Sequence, residues 1–257
     1  MIEAAAATPS SLVDIDAVVL AGGLGTRVRA VLGDTPKVLA KVGNRTYIDS
    51  LLYWLRDQGV GRVFLCLGHL AGRVEEHLAR RVYGSLRIET IVESRPLGTG
   101  GAIRNACPRL RGDPVLVMNG DTMVDAPLQP FLAAHRASGR EISLLAMPVD
   151  DVSPFGSIVL DDDGMIVRFV EKNPSASGAG LVSGGVYFFS QTALRLLAEV
   201  AGPSLERDFL QTRPPGYIHG YLANGAQFFD LGTRENLARA TSALPESWRA
   251  ALPEAEE

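Results

Sequence analysis

Asp16-Ala17-Val18-Val19-Leu20-Ala21-Gly22-Gly23-Leu24-Gly25-Thr26-Arg27 joins a short apolar run to a glycine turn that ends in a cation. The apolar half, Asp16 to Leu20, reads as a strand buried on both faces, as in a parallel sheet. Glycines directly after such a strand let the backbone approach a phosphate chain, and exposed amides there can bind its oxygens. Arg27 supplies a planar cation suited to bidentate phosphate contact. Ten residues on, Thr35-Pro36-Lys37 offers Lys37 as a point charge for the same phosphates. Two familiar phosphate loops do not fit. A dinucleotide fingerprint needs a third glycine where Val28 stands, and a P-loop needs a Gly-Lys-Ser/Thr ending that is absent here. Taken alone, the turn also fits an ordinary strand-to-helix connection.

Outward from this turn, strands and helices alternate. Helical spacing of Ile48, Leu51, Leu52 and Leu55 predicts a helix over 47–58, stopped at Gly59. Strands are expected at 62–67, 86–92, 114–118 and 141–148, and helices at 71–81, 100–106 and 127–138. This order predicts a Rossmann-like, doubly wound, mostly parallel sheet flanked by helices, with ligands beyond the carboxyl ends of its strands. The second half changes character. Strands at 156–160, 164–171 and 184–189 are separated by turns such as Asp162-Asp163-Gly164, so hairpins and a mixed sheet are expected. A helix at 191–199, strands at 217–222 and 227–231, and a closing helix at 234–243 capped by Thr233 complete a single domain over 14–243. Residues 1–13 read as a disordered extension, and 244–257, rich in Ala, Pro and Glu, as a tail that is disordered or a loosely attached helix.

Bulk composition excludes several classes. The net charge of −4 argues against nucleic acid or an anionic membrane as main partner. No segment reaches the ~18 apolar residues of a membrane span, and the start lacks the basic residues of a signal peptide. Two cysteines, Cys66 and Cys107, make no disulfide framework and read as buried thiols. A cytoplasmic location is expected. His69, His77, His135 and His219 show no metal-ligand spacing and no catalytic pattern.

Several further segments complete a pattern: Pro96-Leu97-Gly98-Thr99-Gly100-Gly101-Ala102-Ile103, Asn119-Gly120-Asp121, Phe155-Gly156, Glu171-Lys172, Ser183-Gly184-Gly185-Val186-Tyr187 and Phe229-Asp230-Leu231-Gly232-Thr233. With Ala-Gly-Gly-x-Gly-Thr-Arg and Pro-Lys, and in this order from about residue 15 to 243, they resemble the sugar-1-phosphate nucleotidyltransferases. These enzymes join a nucleoside triphosphate to a sugar 1-phosphate, giving an NDP-sugar and pyrophosphate on a nucleotide-diphospho-sugar transferase fold. The resemblance implies that Leu20, Ala21, Gly22, Gly23, Gly25 and Thr26 hold the nucleotide with Pro96, Gly98, Thr99 and Gly100. Arg27 and Lys37 become the catalytic cations. Asn119, Gly156, Glu171, Lys172, Ser183 and Gly184 bind the sugar phosphate. Asp121 and Asp230 become ligands of Mg²⁺, each ending a strand at the same sheet edge. The nucleophile is a phosphate oxygen, mostly dianionic at neutral pH because its second pKa is about 6, so no general base is required. The chain departs from the family pattern after Arg27, where Val28-Arg29-Ala30-Val31-Leu32 lacks the usual proline. It departs again at Ser183, usually asparagine, and at Phe155, usually tyrosine.

Within the family, Glu93-Ser94-Arg95-Pro96-Leu97-Gly98-Thr99-Gly100-Gly101-Ala102-Ile103 and Ser204-Leu205-Glu206-Arg207-Asp208-Phe209 resemble segments of the D-glycero-α-D-manno-heptose 1-phosphate guanylyltransferases. GTP and that heptose phosphate are therefore the expected substrates. N-acetylmuramate 1-phosphate uridylyltransferases and glucose 1-phosphate thymidylyl- or cytidylyltransferases are the alternatives. The oligomeric state is open, a homo-oligomer included. A metal-dependent glycosyltransferase would show Asp-x-Asp where Asp121-Thr122-Met123 stands. A non-catalytic nucleotide-sugar sensor would have lost the charges that Arg27, Lys37, Asp121, Lys172 and Asp230 retain.

Overall fold

The computed structural model describes residues 11–23, 32–170 and 178–231, together with positions 235, 236, 239 and 248. Its first half runs β1 (Asp16–Leu20), a small hairpin of β2 (Lys41–Val42) and β3 (Arg45–Thr46), α1 (Tyr47–Asp57), β4 (Arg62–Leu67), α2 (Ala71–Ala79), β5 (Arg87–Val92), α3 (Gly98–Ala106), β6 (Val115–Asn119) and β7 (Thr122–Val124). Then follow α4 (Leu128–Ser138), β8 (Ile142–Val149), β9 (Ser157–Leu160), β10 (Ile166–Val170), β11 (Gly180–Phe189), α5 (Gln191–Ala198), the single turn α6 (Leu205–Asp208), β12 (Ile218–Leu222) and β13 (Phe228–Asp230). α1 starts where the Thr46 hydroxyl accepts from the Asp49 amide at 3.4 Å, an N-cap. It ends at Gln58, before Gly59 turns left-handed at φ 92°.

Among the described residues, the main sheet has nine strands. β1 pairs in parallel with β4 on one side and β6 on the other, and β5 extends the parallel part beyond β4. β11 joins antiparallel to β6, β8 and β9, the β9–β10 hairpin closes that edge, and β12 lies parallel to β8. The sheet is therefore mixed, with its parallel part at the glycine turn.

Side chains alternate between two cores, as strands buried on both faces require. Ala17, Val19, Val63, Leu65, Leu116 and Met118 pack with α1, α2 and α4. Val18, Phe64, Cys66, Val115 and Val117 pack with α3, α5 and α6. At the amino end of β1, the buried Asp16 carboxylate accepts from Arg62 Nε at 2.6 Å and from the amides of Arg111 and Gly112. This ties β1 and β4 to the turn before β6.

Three features differ from the sequence reading. β13 does not join the main sheet; it pairs antiparallel with β7, a three-residue strand that no pattern announced. Leu12, placed in the N-terminal extension, is 1% exposed. Trp248, placed in the tail, is fully buried: its ring stacks 5.3 Å from Trp54 and 6.0 Å from Tyr47, and its indole donates to the Val124 carbonyl at 3.2 Å. An indole of this size packed against two aromatic rings fastens residue 248 to the core. The closing helix expected at 234–243 and the Thr233 cap lie outside the described residues, apart from positions 235, 236 and 239.

Candidate active site

From β1 the chain crosses to β4 on one side, and later enters β6 on the other. A crevice opens at such a switch point, beyond the carboxyl ends of the strands. Leu20 and Asn119 are register partners there. The Ala21 amide donates to the Cys66 carbonyl and the Gly120 amide to the Leu20 carbonyl, both at 2.9 Å. These bonds set Ala21–Gly23 and Asn119–Asp121 side by side.

A cleft of about 340 Å³ lies over this junction, lined by Leu20, Ala21, Gly22, Gly23, Lys37, Pro96, Gly98, Thr99, Asn119 and Asp121, and also by Glu93. A second cavity of about 220 Å³ lies beside it, lined by Asn119, Asp121, Gly156 and Ser183 together with Tyr187, Glu206 and Gln211. Asn119 and Asp121 line both, so the two cavities meet at the end of β6. Leu20, Ala21, Gly22, Gly23, Pro96, Gly98 and Thr99 thus line the first cavity and Gly156 and Ser183 the second, with Asn119 in both and Gly100 and Gly184 in neither. Gly25, Thr26, Arg27, Glu171 and Lys172 lie outside the described residues. The positions that precede them, Gly23 and Val170, line the first and second cavity respectively.

Lys37 and Asp121, 84 positions apart, touch: Nζ donates to Oδ2 at 2.7 Å. The lysine is largely buried and the carboxylate about half exposed, with side-chain exposures of 14% and 46%. Asp230 stands opposite Thr122 in the β7–β13 ribbon, and the Leu231 amide donates to the Asp121 carbonyl at 2.9 Å. The two aspartates are therefore neighbours along the backbone, but through this ribbon and not through a shared edge of the main sheet. The Tyr47 hydroxyl fixes the ribbon by donating to the Thr122 carbonyl at 2.7 Å.

Two glycines on the expected list serve packing instead. The Gly100 amide donates to the Pro203 carbonyl at 2.8 Å. Gly184 lies against Leu145 and Met147, where a Cβ would come within 2.9 Å of Leu145 Cδ2. Its neighbour Gly185 has φ 68°, and a Cβ there would meet Asn119 Nδ2 at 2.7 Å, so only glycine lets Asn119 reach this position.

The carboxylates of Glu93 and Glu206 were quoted in the sequence only as parts of motifs. The half-buried Glu93 accepts from the Leu97 amide at 3.0 Å through Oε2, which folds the 93–97 turn over the first cavity. Tyr187, read as core from its aromatic run, is fully buried, yet its hydroxyl donates to Glu206 Oε1 at 3.1 Å.

The cysteines and histidines stand apart from this chemistry. Burial, with Glu93 a lesser cause, pushes the Cys66 thiol up to about 12, so the nucleophilic thiolate is not populated at neutral pH. None of the histidines lines either cavity. His135 Nδ1 lies 2.8 Å from Ser143 Oγ, which lies 3.2 Å from His219 Nδ1. Burial is the main cause that lowers both rings, His135 to about 4.

The family model described as nucleotidyl transferase matches residues 16–247. The chain belongs to the nucleotidyl transferase family. It is a sugar-1-phosphate nucleotidyltransferase. It is 28% identical over 231 residues to the D-glycero-alpha-D-manno-heptose 1-phosphate guanylyltransferase of Aneurinibacillus thermoaerophilus, covering 90% of this chain and 98% of that one. It is 30% identical over 233 residues to the mannose-1-phosphate guanylyltransferase of Mycobacterium tuberculosis, covering 90% of this chain but 64% of that longer protein. The crystal structure of HddC from Yersinia pseudotuberculosis superposes with a TM-score of 0.78 at 31% identity, covering 89% of this chain and 98% of that one. The same protein has also been solved in complex with GMP-PN, with a TM-score of 0.77. Among the described residues of the nucleotidyltransferase, no helix is long and apolar enough to cross a membrane.

Proposed function

We propose that this nucleotidyltransferase condenses GTP with D-glycero-α-D-manno-heptose 1-phosphate, giving GDP-heptose and pyrophosphate. The observation that carries the reaction is the meeting of the two cavities at Asn119 and Asp121. A phosphate oxygen of a sugar phosphate held in the second cavity can then face the α-phosphate of a nucleotide held in the first. Catalysis is positioning plus charge stabilisation. Lys37, at that junction, neutralises charge near the α-phosphate. Arg27 holds the β- and γ-phosphates, and Lys172 and Glu171 hold the sugar phosphate.

Glu93 supports the base. A carboxylate only accepts hydrogen bonds, and guanine offers two adjacent donors, N1–H and the N2 amine. Uracil and thymine flank their single N–H with carbonyl oxygens that a carboxylate repels, and the pairing edges of adenine and cytosine each place an acceptor beside the amine. The names of the relatives support the sugar. A second reading, mannose 1-phosphate, follows from the similarity to the mycobacterial enzyme and keeps the same manno configuration.

Asp121 and Asp230 are the proposed ligands of Mg²⁺. Two neighbouring carboxylate positions beside a phosphate site fit an ion that takes one or two carboxylates and completes its shell with water and phosphate oxygens. The ion supplies neutralisation of charge on the phosphates during in-line displacement. Asp121→Asn tests the assignment. Pyrophosphate release should fall at least 100-fold while the fold is kept, because the half-exposed side chain carries no core packing; unchanged release would overturn the role of Asp121.

A further inference from the structure

β11 departs from regular register between Ser183 and Tyr187, and this irregularity builds a polar chain along the wall of the second cavity. The Gly185 amide donates to Ser183 Oγ at 3.2 Å, and Ser183 Oγ lies 3.0 Å from Tyr187 Oη. The single Tyr187 proton goes to Glu206 Oε1, so the serine hydroxyl donates to the tyrosine oxygen. Burial first, then the nearby Glu206 charge, holds the Tyr187 hydroxyl well above its ordinary pKa, which keeps it a donor at neutral pH. The chain ends on a carboxylate that lines the cavity.

Glu206 does not serve its own turn. Ser204 Oγ accepts from the Arg207 amide at 3.2 Å, Asp208 Oδ2 from the Ser204 amide at 2.7 Å, and Thr99 Oγ1 from the Leu205 amide at 2.8 Å. These bonds cap α6 and fasten it to α3, leaving the Glu206 carboxylate aimed at the cavity. Among the described residues, no cation forms an ion pair with it.

We propose that Glu206 determines which sugars enter. Held through Oε1 by Tyr187, it accepts from the hydroxyls of a neutral polyol sugar 1-phosphate and repels sugars that carry a second acid group. This rests on the reading of the second cavity as the sugar site. A carboxylate with free lone pairs binds neighbouring hydroxyls through charge-assisted hydrogen bonds. It meets an acid substituent as a like charge. The inference therefore favours mannose and heptose phosphates and disfavours N-acetylmuramate 1-phosphate, whose lactyl group is an acid.

The test compares the full-length wild type with Glu206→Gln. Binding of mannose 1-phosphate and of mannuronate 1-phosphate is measured by calorimetry, and pyrophosphate release with GTP is measured in parallel. The wild type should bind the neutral sugar at least 100-fold more tightly than the acid. Glu206→Gln should weaken the neutral sugar about 10-fold, shrink that preference below 10-fold, and leave the KM for GTP within twofold. Tyr187→Phe, which removes the bond that holds Glu206 and frees the Ser183 hydroxyl but keeps the carboxylate, should weaken the neutral sugar about threefold without changing the preference against the acid. Unchanged sugar affinity and unchanged preference in Glu206→Gln would overturn the proposal while leaving the enzymatic reading in place. Sugar binding that depends on Glu206 in a protein that releases no pyrophosphate would uphold the proposal and overturn the reaction. Absence of both binding and turnover in the wild type overturns both.

Discussion

At the scale of the residue, the site is a set of charges brought together from distant parts of the chain. Lys37 meets Asp121 at 2.7 Å, although the sequence showed only a lysine after a proline and an aspartate after a strand. Glu93 owes its position to one bond from the Leu97 amide, so its conservative replacement is informative. Glu93→Gln keeps the shape but substitutes an amide NH2, a donor, for one acceptor oxygen. Direct base contacts of this kind discriminate by about 1–3 kcal/mol. The ratio of kcat/KM for GTP over UTP should therefore fall roughly 10- to 100-fold in Glu93→Gln, with thermal stability little changed. An unaltered ratio would remove Glu93 from base selection.

At the scale of the element, the structure explains why two motifs occur together. The start of α3 and the 202–208 segment are joined by Gly100 N–H to Pro203 O, Leu205 N–H to Thr99 Oγ1, and Arg104 to the Gly202 carbonyl. The loop over the first cavity and the turn bearing Glu206 are thus tied together. Gly98 is the close approach between the two segments: its φ is 73°, and a Cβ would lie 2.5 Å from the Pro203 carbonyl oxygen. Gly139, at the end of α4, has φ 60° and open space around it. Gly139→Ala should cost only the left-handed strain, about 1–2 kcal/mol, and leave kinetics unchanged. Gly98→Ala carries that strain and the clash, so it should lower Tm further and raise KM for both substrates. Equal effects of the two substitutions would contradict the coupling.

The elements also show what the sequence could and could not reveal. β1, β4 and β6 were legible because their residues are apolar on both faces, and the glycine turn marked where they end. β7 was not, since Thr122-Met123-Val124 is too short to show a period. Without β7, β13 had no visible partner and was assigned to the main sheet. Glu93, Glu206 and Tyr187 were present in recognised segments, but only folding turns their side chains toward a cavity. Trp248 is one aromatic ring in a stretch of Ala, Pro and Glu, where composition hides a single anchor.

At the scale of the whole molecule, two buried cores hold the sheet, and one of them contains titratable groups with no part in catalysis. His135 and His219 share Ser143 and are held neutral, His135 with a pKa lowered to about 4. An unfolded histidine titrates near 6.5. Above that value both states are neutral and the fold is unaffected. As pH falls from 6.5 toward 4, the unfolded chain gains protons that the folded chain refuses, so stability declines. The loss attributable to His135 at pH 4 is roughly 3 kcal/mol, and His219 acts in the same direction. Denaturant midpoints at pH 7.5, 6 and 4.5 should show a decline that is shallower in His135→Gln; an identical pH slope would contradict the buried neutral pair.

The central claim is the substrate pair. Its most direct test is pyrophosphate release with Mg²⁺, with GTP, UTP, dTTP, CTP and ATP each offered against heptose 1-phosphate, mannose 1-phosphate, glucose 1-phosphate and N-acetylmuramate 1-phosphate. Release should be greatest with GTP and D-glycero-α-D-manno-heptose 1-phosphate, with mannose 1-phosphate next. Preferred release with UTP and N-acetylmuramate 1-phosphate, or none with any pair, would contradict it.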